Sequence, residues 1–255
     1  EQVNDLAKEI NENAKIIMNE FWPGPITIIL KKKDIVPMRT SGGLDTVAIR
    51  MPSNPIAKAL LEEVKLPIAA PSANISGRPS PTRGKHVYEE MNNRVDGIIL
   101  GGDCTFGLES TVLDLTNDIP TILRPGSITK EDLEQVIGTV NIDPALERKE
   151  DNIKAKAPGM KYKHYAPNTN VMMVNDQDWS AAMAWAKEQQ LKVGVLAGPT
   201  IAEQVRFEAA AIYLFFDDSV EAATKGLFAG LRALDESIAE LDVLFAPTFP
   251  ESGLG

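Results

Sequence analysis

The sequence predicts an α+β protein in two parts, a mixed domain on a twisted sheet followed by a small α/β domain with a parallel sheet. Three observations carry this. In residues 1–138 strand-like apolar runs outnumber helical stretches and cluster together. From residue 169 onward strands and helices alternate at the lengths of βαβ units. Between these halves, Val140–Lys156 is charged and lacks an apolar period, which reads as a linker. At 255 residues the chain exceeds one typical domain, and 44% apolar residues can give each half a core.

The chain opens on a helical period, with Leu6, Ile10, Ala14, Ile17 and Met18 on one face. This helix starts at residue 1 with no capping residue or strand before it, so the sequence reads as trimmed there. Phe21–Pro25 is a breaker, and Ile26–Leu30 reads as a buried strand. Thr46–Arg50 is a second strand. Asn54-Pro55 caps and starts a helix through Val64. Ile68–Ala70 is expected as a short strand leading into a Gly/Pro-rich loop, followed by a helix near His86–Met91. Strands are expected at Gly97–Leu100, Ser110–Leu115 and Thr121–Arg124. Thr129 and Asp132 form a capping box for a helix ending at Gly138. In the second part, strands at Val171–Val174, Lys192–Leu196, Ile212–Phe216 and Val243–Ala246 alternate with helices through Trp179–Ala186, Ile201–Val205 and Val220–Leu234. The chain stops soon after a strand, where another helix is expected.

The charge balance narrows the function. With 26 basic and 36 acidic residues the net charge is −10, which repels nucleic acid, so little direct affinity for it is expected. A phosphate-bearing ligand must then be held by a few local arginines, hydroxyls and backbone amides. No run approaches the roughly 20 apolar residues of a membrane helix, and no secretory leader opens the sequence. The single cysteine, Cys104, excludes an internal disulfide and fits a reducing cytoplasm.

Several segments could carry chemistry, and each has an ordinary reading as well. Pro71-Ser72-Ala73-Asn74 offers small donors to phosphate or sugar oxygens, and equally makes a turn. Ser76–Thr82 places hydroxyls and a guanidinium in a stiffened loop, a composition shared with surface connections. Gly107–Thr111 can form an oxyanion or carboxylate cradle, or simply enter a strand. Arg50 and Arg124 each end an apolar strand shortly before proline. There a guanidinium can clamp a carboxylate or phosphate through two parallel bonds, or stay solvated. Lys156–Pro167 gathers two tyrosines, a histidine and several lysines into a strap that could fold over a nucleotide, or pack as an interdomain linker. No Walker-type phosphate loop or G-x-G-x-x-G is present, and His86, His164 and Cys104 cannot supply a zinc site of soft ligands.

Taken in order, six of these elements resemble the YrdC-like threonylcarbamoyl-AMP synthases in their longer, two-domain form. They are Phe-Trp-Pro-Gly-Pro-Ile-Thr (21–27), Val-Ala-Ile-Arg-Met-Pro (47–52), Ala-Ala-Pro-Ser-Ala-Asn-Ile-Ser-Gly (69–77), Gly-Leu-Glu-Ser-Thr-Val (107–112), Leu-Arg-Pro-Gly (123–126) and Pro-Gly-Met-Lys-Tyr-Lys-His-Tyr-Ala-Pro (158–167). The resemblance implies a YrdC-like twisted-sheet catalytic domain at 1–138, a linker or lid at 139–168 and a Rossmann-like domain at 169–255. It implies that Arg50, the backbone around Ala70, and Ser110 hold threonine. Thr46, Ser72, Ser80, Arg124 and Tyr162 would contact ATP, with Asn74 supporting the Ser72 loop. The family's Lys/Arg motif, followed by a histidine, would lie before Glu1, so no catalytic residue is assigned.

The implied activity is L-threonylcarbamoyladenylate synthesis from L-threonine, bicarbonate and ATP, with magnesium on the nucleotide, in the cytoplasm. The product would pass to the transferase machinery that modifies tRNA next to the anticodon. Two other readings share the fold: a non-catalytic nucleotide- or RNA-binding module, and the carbamoyltransferase of hydrogenase maturation. The zinc-finger and acylphosphatase segments expected of the latter are nowhere in this sequence.

Overall fold

Small polar side chains start several of the helices. A computed structural model describes residues 2–146, 167–250 and 252–254. Helix α1 (Gln2–Leu6) is short, and Asn11, accepting from the Ala14 N–H, begins α2 (Glu12–Phe21). The helical period through Met18 is therefore split in two: Asn11 serves as a cap rather than as helix interior, and Ala7 bridges to Lys32. Strands β1 (Ile26–Lys31) and β2 (Thr46–Arg50) follow, then α3 (Pro55–Val64), capped by Asn54 with Pro55 at its first position. Next come α4 (Gly84–Met91), β3 (Thr111–Asp114), β4 (Thr121–Arg124), α5 (Lys130–Ile137) and the short β5 (Asn141–Ile142). Thr129 and Asp132 close the expected capping box on α5. The rest alternates: β6 (Asn170–Val174), α6 (Trp179–Glu188), β7 (Val193–Ala197), α7 (Pro199–Val205), β8 (Ala211–Leu214), α8 (Val220–Asp235) and β9 (Val243–Pro247).

Contacts divide the chain into two units, Glu1–Pro71 with Glu109–Tyr162, and Ser72–Leu108 with Lys163–Gly255. Residues 72–108, which the sequence reading placed inside the first domain, group by contact with the C-terminal part.

The first unit carries a mixed sheet in the order β2-β1-β3-β4-β5. β1 pairs antiparallel with β2 and parallel with β3; β3 and β4 are antiparallel, and β4 and β5 parallel. Alternation along the strands separates two faces. Ile26, Ile28, Leu30, Leu113 and Ile122 pack with Ala14 and Ile17 of α2 and Leu133 of α5. A smaller cluster, Ile29, Val112 and Leu123, is buried apart from that core. Val140, expected in the linker, is 1% exposed in the helix-side core, and Asn141–Ile142 pairs with β4. Residues 139–146 therefore belong to this unit.

Neither Ile68–Ala70 nor Gly97–Leu100 forms the expected strand, and Ile68, Ile99 and Leu100 are exposed. A strand exists only by its ladder, and a short apolar run does not specify a partner.

The second unit carries a parallel sheet in the order β6-β9-β7-β8. Trp179, Met183 and Ala186 of α6 pack with Val195 and Phe245. Phe228, Leu231 and Leu234 of α8 pack with Leu196 and Leu244. Neighbouring strand residues thus feed cores on opposite faces, as helices on both sides of a parallel sheet require. Among the described residues no helix is long and apolar enough to cross a membrane.

Candidate functional site

The candidate site of the first unit follows one cross-strand row. Arg50, ending β2, pairs with Thr27 of β1; Thr27 pairs with Val112 of β3, and Val112 with Arg124, ending β4. Three strand spacings place the two arginine backbones roughly 14 Å apart. Ser110, just before β3, is buried. Its Oγ lies 2.9 Å from Thr27 Oγ1 and accepts from Arg124 Nη2 at 3.0 Å. Arg124 Nε and Nη2 also donate to the Ser110 carbonyl at 3.0 and 2.7 Å. Glu109 approaches Nη2 at 3.8 Å. Among the described residues Arg124 Nη1 makes no hydrogen bond, and the exposed side chain of Arg50 makes no hydrogen bond or ion pair.

Two local devices build this arrangement. The ladder shifts register between Val112 and Leu113: Leu113 pairs with Ile122 while Val112 pairs with Arg124, so Leu123 is the extra residue. Such a bulge re-aims the side chain beyond it, here towards Ser110. Gly126 then lies flat against the same backbone. A Cβ there would come within 2.4 Å of Thr111 N and 2.5 Å of Glu109 O, so only glycine fits. The adjacent hydroxyls divide their work. Thr111 Oγ1 donates to Ile128 O and accepts the Ile128 N–H, stapling the turn after β4, while Ser110 meets the guanidinium.

The remaining sequence candidates fall elsewhere. Thr46 pairs with Lys31 at the other end of β2, roughly 13 Å along the strand from Arg50. Ala70 is exposed and in no ladder. Ser72, exposed, and Ser80, buried, belong to the second unit. Their loop is braced by Asn74, whose Nδ2 donates to Ile75 O at 3.0 Å and Arg78 O at 3.1 Å. Tyr162 lies outside the described residues. The structure thus gathers Arg50, Ser110 and Arg124 into one row and leaves Thr46 apart within the same unit.

Thr27 and Gly126 are site residues that sequence reasoning did not single out. Both stand inside motifs, but their roles depend on which strand lies beside which.

Chemically, the row offers hydrogen-bond donors suited to negative charge. Two guanidiniums and two hydroxyls suit a carboxylate or a phosphate oxygen. Among the described residues no three His, Cys, Asp or Glu side chains group as metal ligands.

An arginine–hydroxyl row on a mixed sheet, in a chain that continues into a parallel α/β unit, is a framework able to bind an anionic ligand. Comparison with known families makes that framework particular. The family model described as "Telomere recombination" matches residues 1–126, and that described as "Threonylcarbamoyl-AMP synthase, C-terminal domain" matches residues 128–255. The threonylcarbamoyl-AMP synthase of Pyrococcus abyssi is 44% identical over 262 residues, spanning 100% of this chain and 74% of that protein. That of Bacillus subtilis is 42% identical, spanning 100% of this chain and 73% of its own length. A crystal structure of P. abyssi Sua5 complexed with L-threonine matches with a TM-score of 0.90 at 43% identity, over 99% of this chain and 73% of that one. The chain belongs to the threonylcarbamoyl-AMP synthase family.

Proposed function

We propose that this enzyme makes L-threonylcarbamoyladenylate and pyrophosphate from L-threonine, bicarbonate and ATP. The observation that carries this reading is the match of the whole chain, at 44% and 42% identity, to two such synthases. The threonine amine attacks the bicarbonate carbon, water leaves, and a carbamate forms. A carbamate oxygen then attacks the α-phosphorus of ATP, and pyrophosphate departs. Catalysis of this kind is mostly positioning and charge stabilisation, which is what the arginine–hydroxyl row can supply.

In this reading Arg50 takes the threonine carboxylate, with the Ala70 backbone and Ser110 beside it. Thr46, Ser72, Ser80, Arg124 and Tyr162 contact ATP. The support is motif resemblance and, for Arg50, Ser110 and Arg124, their common row. Magnesium enters on the nucleotide, as hard phosphate oxygens bind it. The product passes to the tRNA-modifying transferase machinery, in the cytoplasm.

The test is pyrophosphate release from the complete protein with threonine and bicarbonate omitted in turn. Release should require both. Equal release without threonine would refute the assignment.

A further inference from the structure

The loop from Ile75 to Ser80 is pinned by an ion pair that lies outside it in sequence. The side chains of Glu90 in α4 and Arg232 in α8 are 2% and 3% exposed, and Arg232 Nη1 meets Glu90 Oε1 at 2.5 Å. The other Glu90 oxygen accepts the Ile75 N–H at 2.5 Å, and Arg232 Nη2 donates to the Pro79 carbonyl. One pair therefore fixes the loop backbone at two points. Arg78, between them, reaches Glu90 at 3.5 Å and Glu236 at 3.6 Å. Helix α8 also backs a second loop. Gly107 lies so near the Thr224 and Lys225 carbonyls that a Cβ would come within 2.5 and 2.2 Å of them.

Stability alone is a poor reason for such a pair. Burying two charges carries a desolvation penalty that often matches the Coulombic gain, and an apolar contact would join α4 to α8 as well. What apolar side chains cannot do is accept from Ile75 and donate to Pro79. Burial raises the Glu90 pKa, but the Ile75 N–H and the Arg232 guanidinium outweigh it and hold the carboxyl below its ordinary range. Glu90 thus faces the guanidinium as a carboxylate at neutral pH.

We propose that Glu90 and Arg232 are positioning residues for the nucleotide: through them α8 sets the shape of the Ile75–Ser80 loop, and with it the affinity for ATP. This gives the α/β unit a part in the reaction, and it rests on the reading of Ser72 and Ser80 as ATP contacts.

The test is steady-state pyrophosphate release from the complete protein, with ATP and threonine varied separately and melting temperatures recorded. Arg232→Lys keeps the charge but loses the fork that reaches Glu90 and Pro79 together. The KM for ATP should rise about tenfold, the loss of one charge-assisted hydrogen bond. The KM for threonine should stay within about twofold, because the bonds Arg232 makes reach Glu90 and the Pro79 carbonyl, not Arg50 or Ser110. Should Arg232→Lys fail to fold, Arg78→Gln carries the test from the more exposed side of the clamp, with an ATP KM raised about threefold. A lowered melting temperature with unchanged ATP KM, or equal rises in both KM values, would overturn the proposal. Ser80→Ala separates the two layers. If it raises the ATP KM while the folded clamp variant leaves it unchanged, the positioning claim alone fails. If Ser80→Ala has no effect, the proposal fails together with the loop reading beneath it.

Discussion

Replacing Arg124 by alanine removes the three bonds that hold its guanidinium on Ser110. Two of them share one carbonyl, so together they count as about one strong contact, about 1.5–3 kcal/mol for a charged donor. Ser110 is 5% exposed, so its carbonyl also loses its side-chain partner in a nearly dry place, a further cost of about 1–2 kcal/mol. The Glu109 contact, at 3.8 Å, adds at most about 1 kcal/mol. Water entering the vacated space offsets part of this, leaving an expected loss of about 2–4 kcal/mol in unfolding free energy. Because the same bonds orient Ser110 beside Thr27, pyrophosphate release should fall roughly 10- to 150-fold. Urea denaturation and the release assay on the same preparation read both quantities. Arg124→Lys, which keeps one donor without the fork, should fall between wild type and Arg124→Ala. A folded Arg124→Ala enzyme with activity within about twofold of wild type would remove Arg124 from the site.

Three further outcomes are expected. Thr27→Val removes the hydroxyl that meets Ser110 Oγ; it should cost about 1 kcal/mol of stability and raise the KM for threonine several-fold, and an unchanged KM would exclude Thr27 from threonine binding. Gly126→Ala drives a methyl into the Ser110–Thr111 backbone, so denaturation should show about 1–3 kcal/mol lost, with activity falling in parallel. His86 is held neutral by burial and by the Arg232 and Arg83 guanidiniums, and its Nδ1 accepts the Thr82 N–H. With its folded pKa depressed, its contribution is present above the unfolded value of about 6.5 and is lost as pH falls through the folded one. The melting temperature should therefore drop on acidification below that point, and His86→Gln should flatten the drop; an identical slope in the variant would sink this account.

Much of the fold was legible because its causes are local. Asn54 before Pro55, and Thr129 three residues before Asp132, cap helices through contacts within a single turn. The strand–helix alternation after residue 169 already implied a parallel sheet, since crossover connections allow little else. Arg50 and Arg124 stand out in the sequence as guanidiniums at strand ends, whereas Ser110 is singled out only by the resemblance of its motif to the family's.

What escaped was set by partners far along the chain. Thr27 and Ser110 meet across 83 positions, and Glu90 and Arg232 across 142. No local period records which strand lies beside which, or that Leu123 bulges so that Arg124 turns towards Ser110. The grouping of residues 72–108 with the α/β unit has the same origin. A loop of polar, glycine and proline residues has no core of its own and takes its contacts from the helix that ties it down, here α8 through Arg232. Residue types and short spacings determined the elements and the charged groups of this protein. Tertiary pairing alone decided which of those groups face one another, because hydrogen bonds and buried charges take whatever partner the packed chain brings within reach.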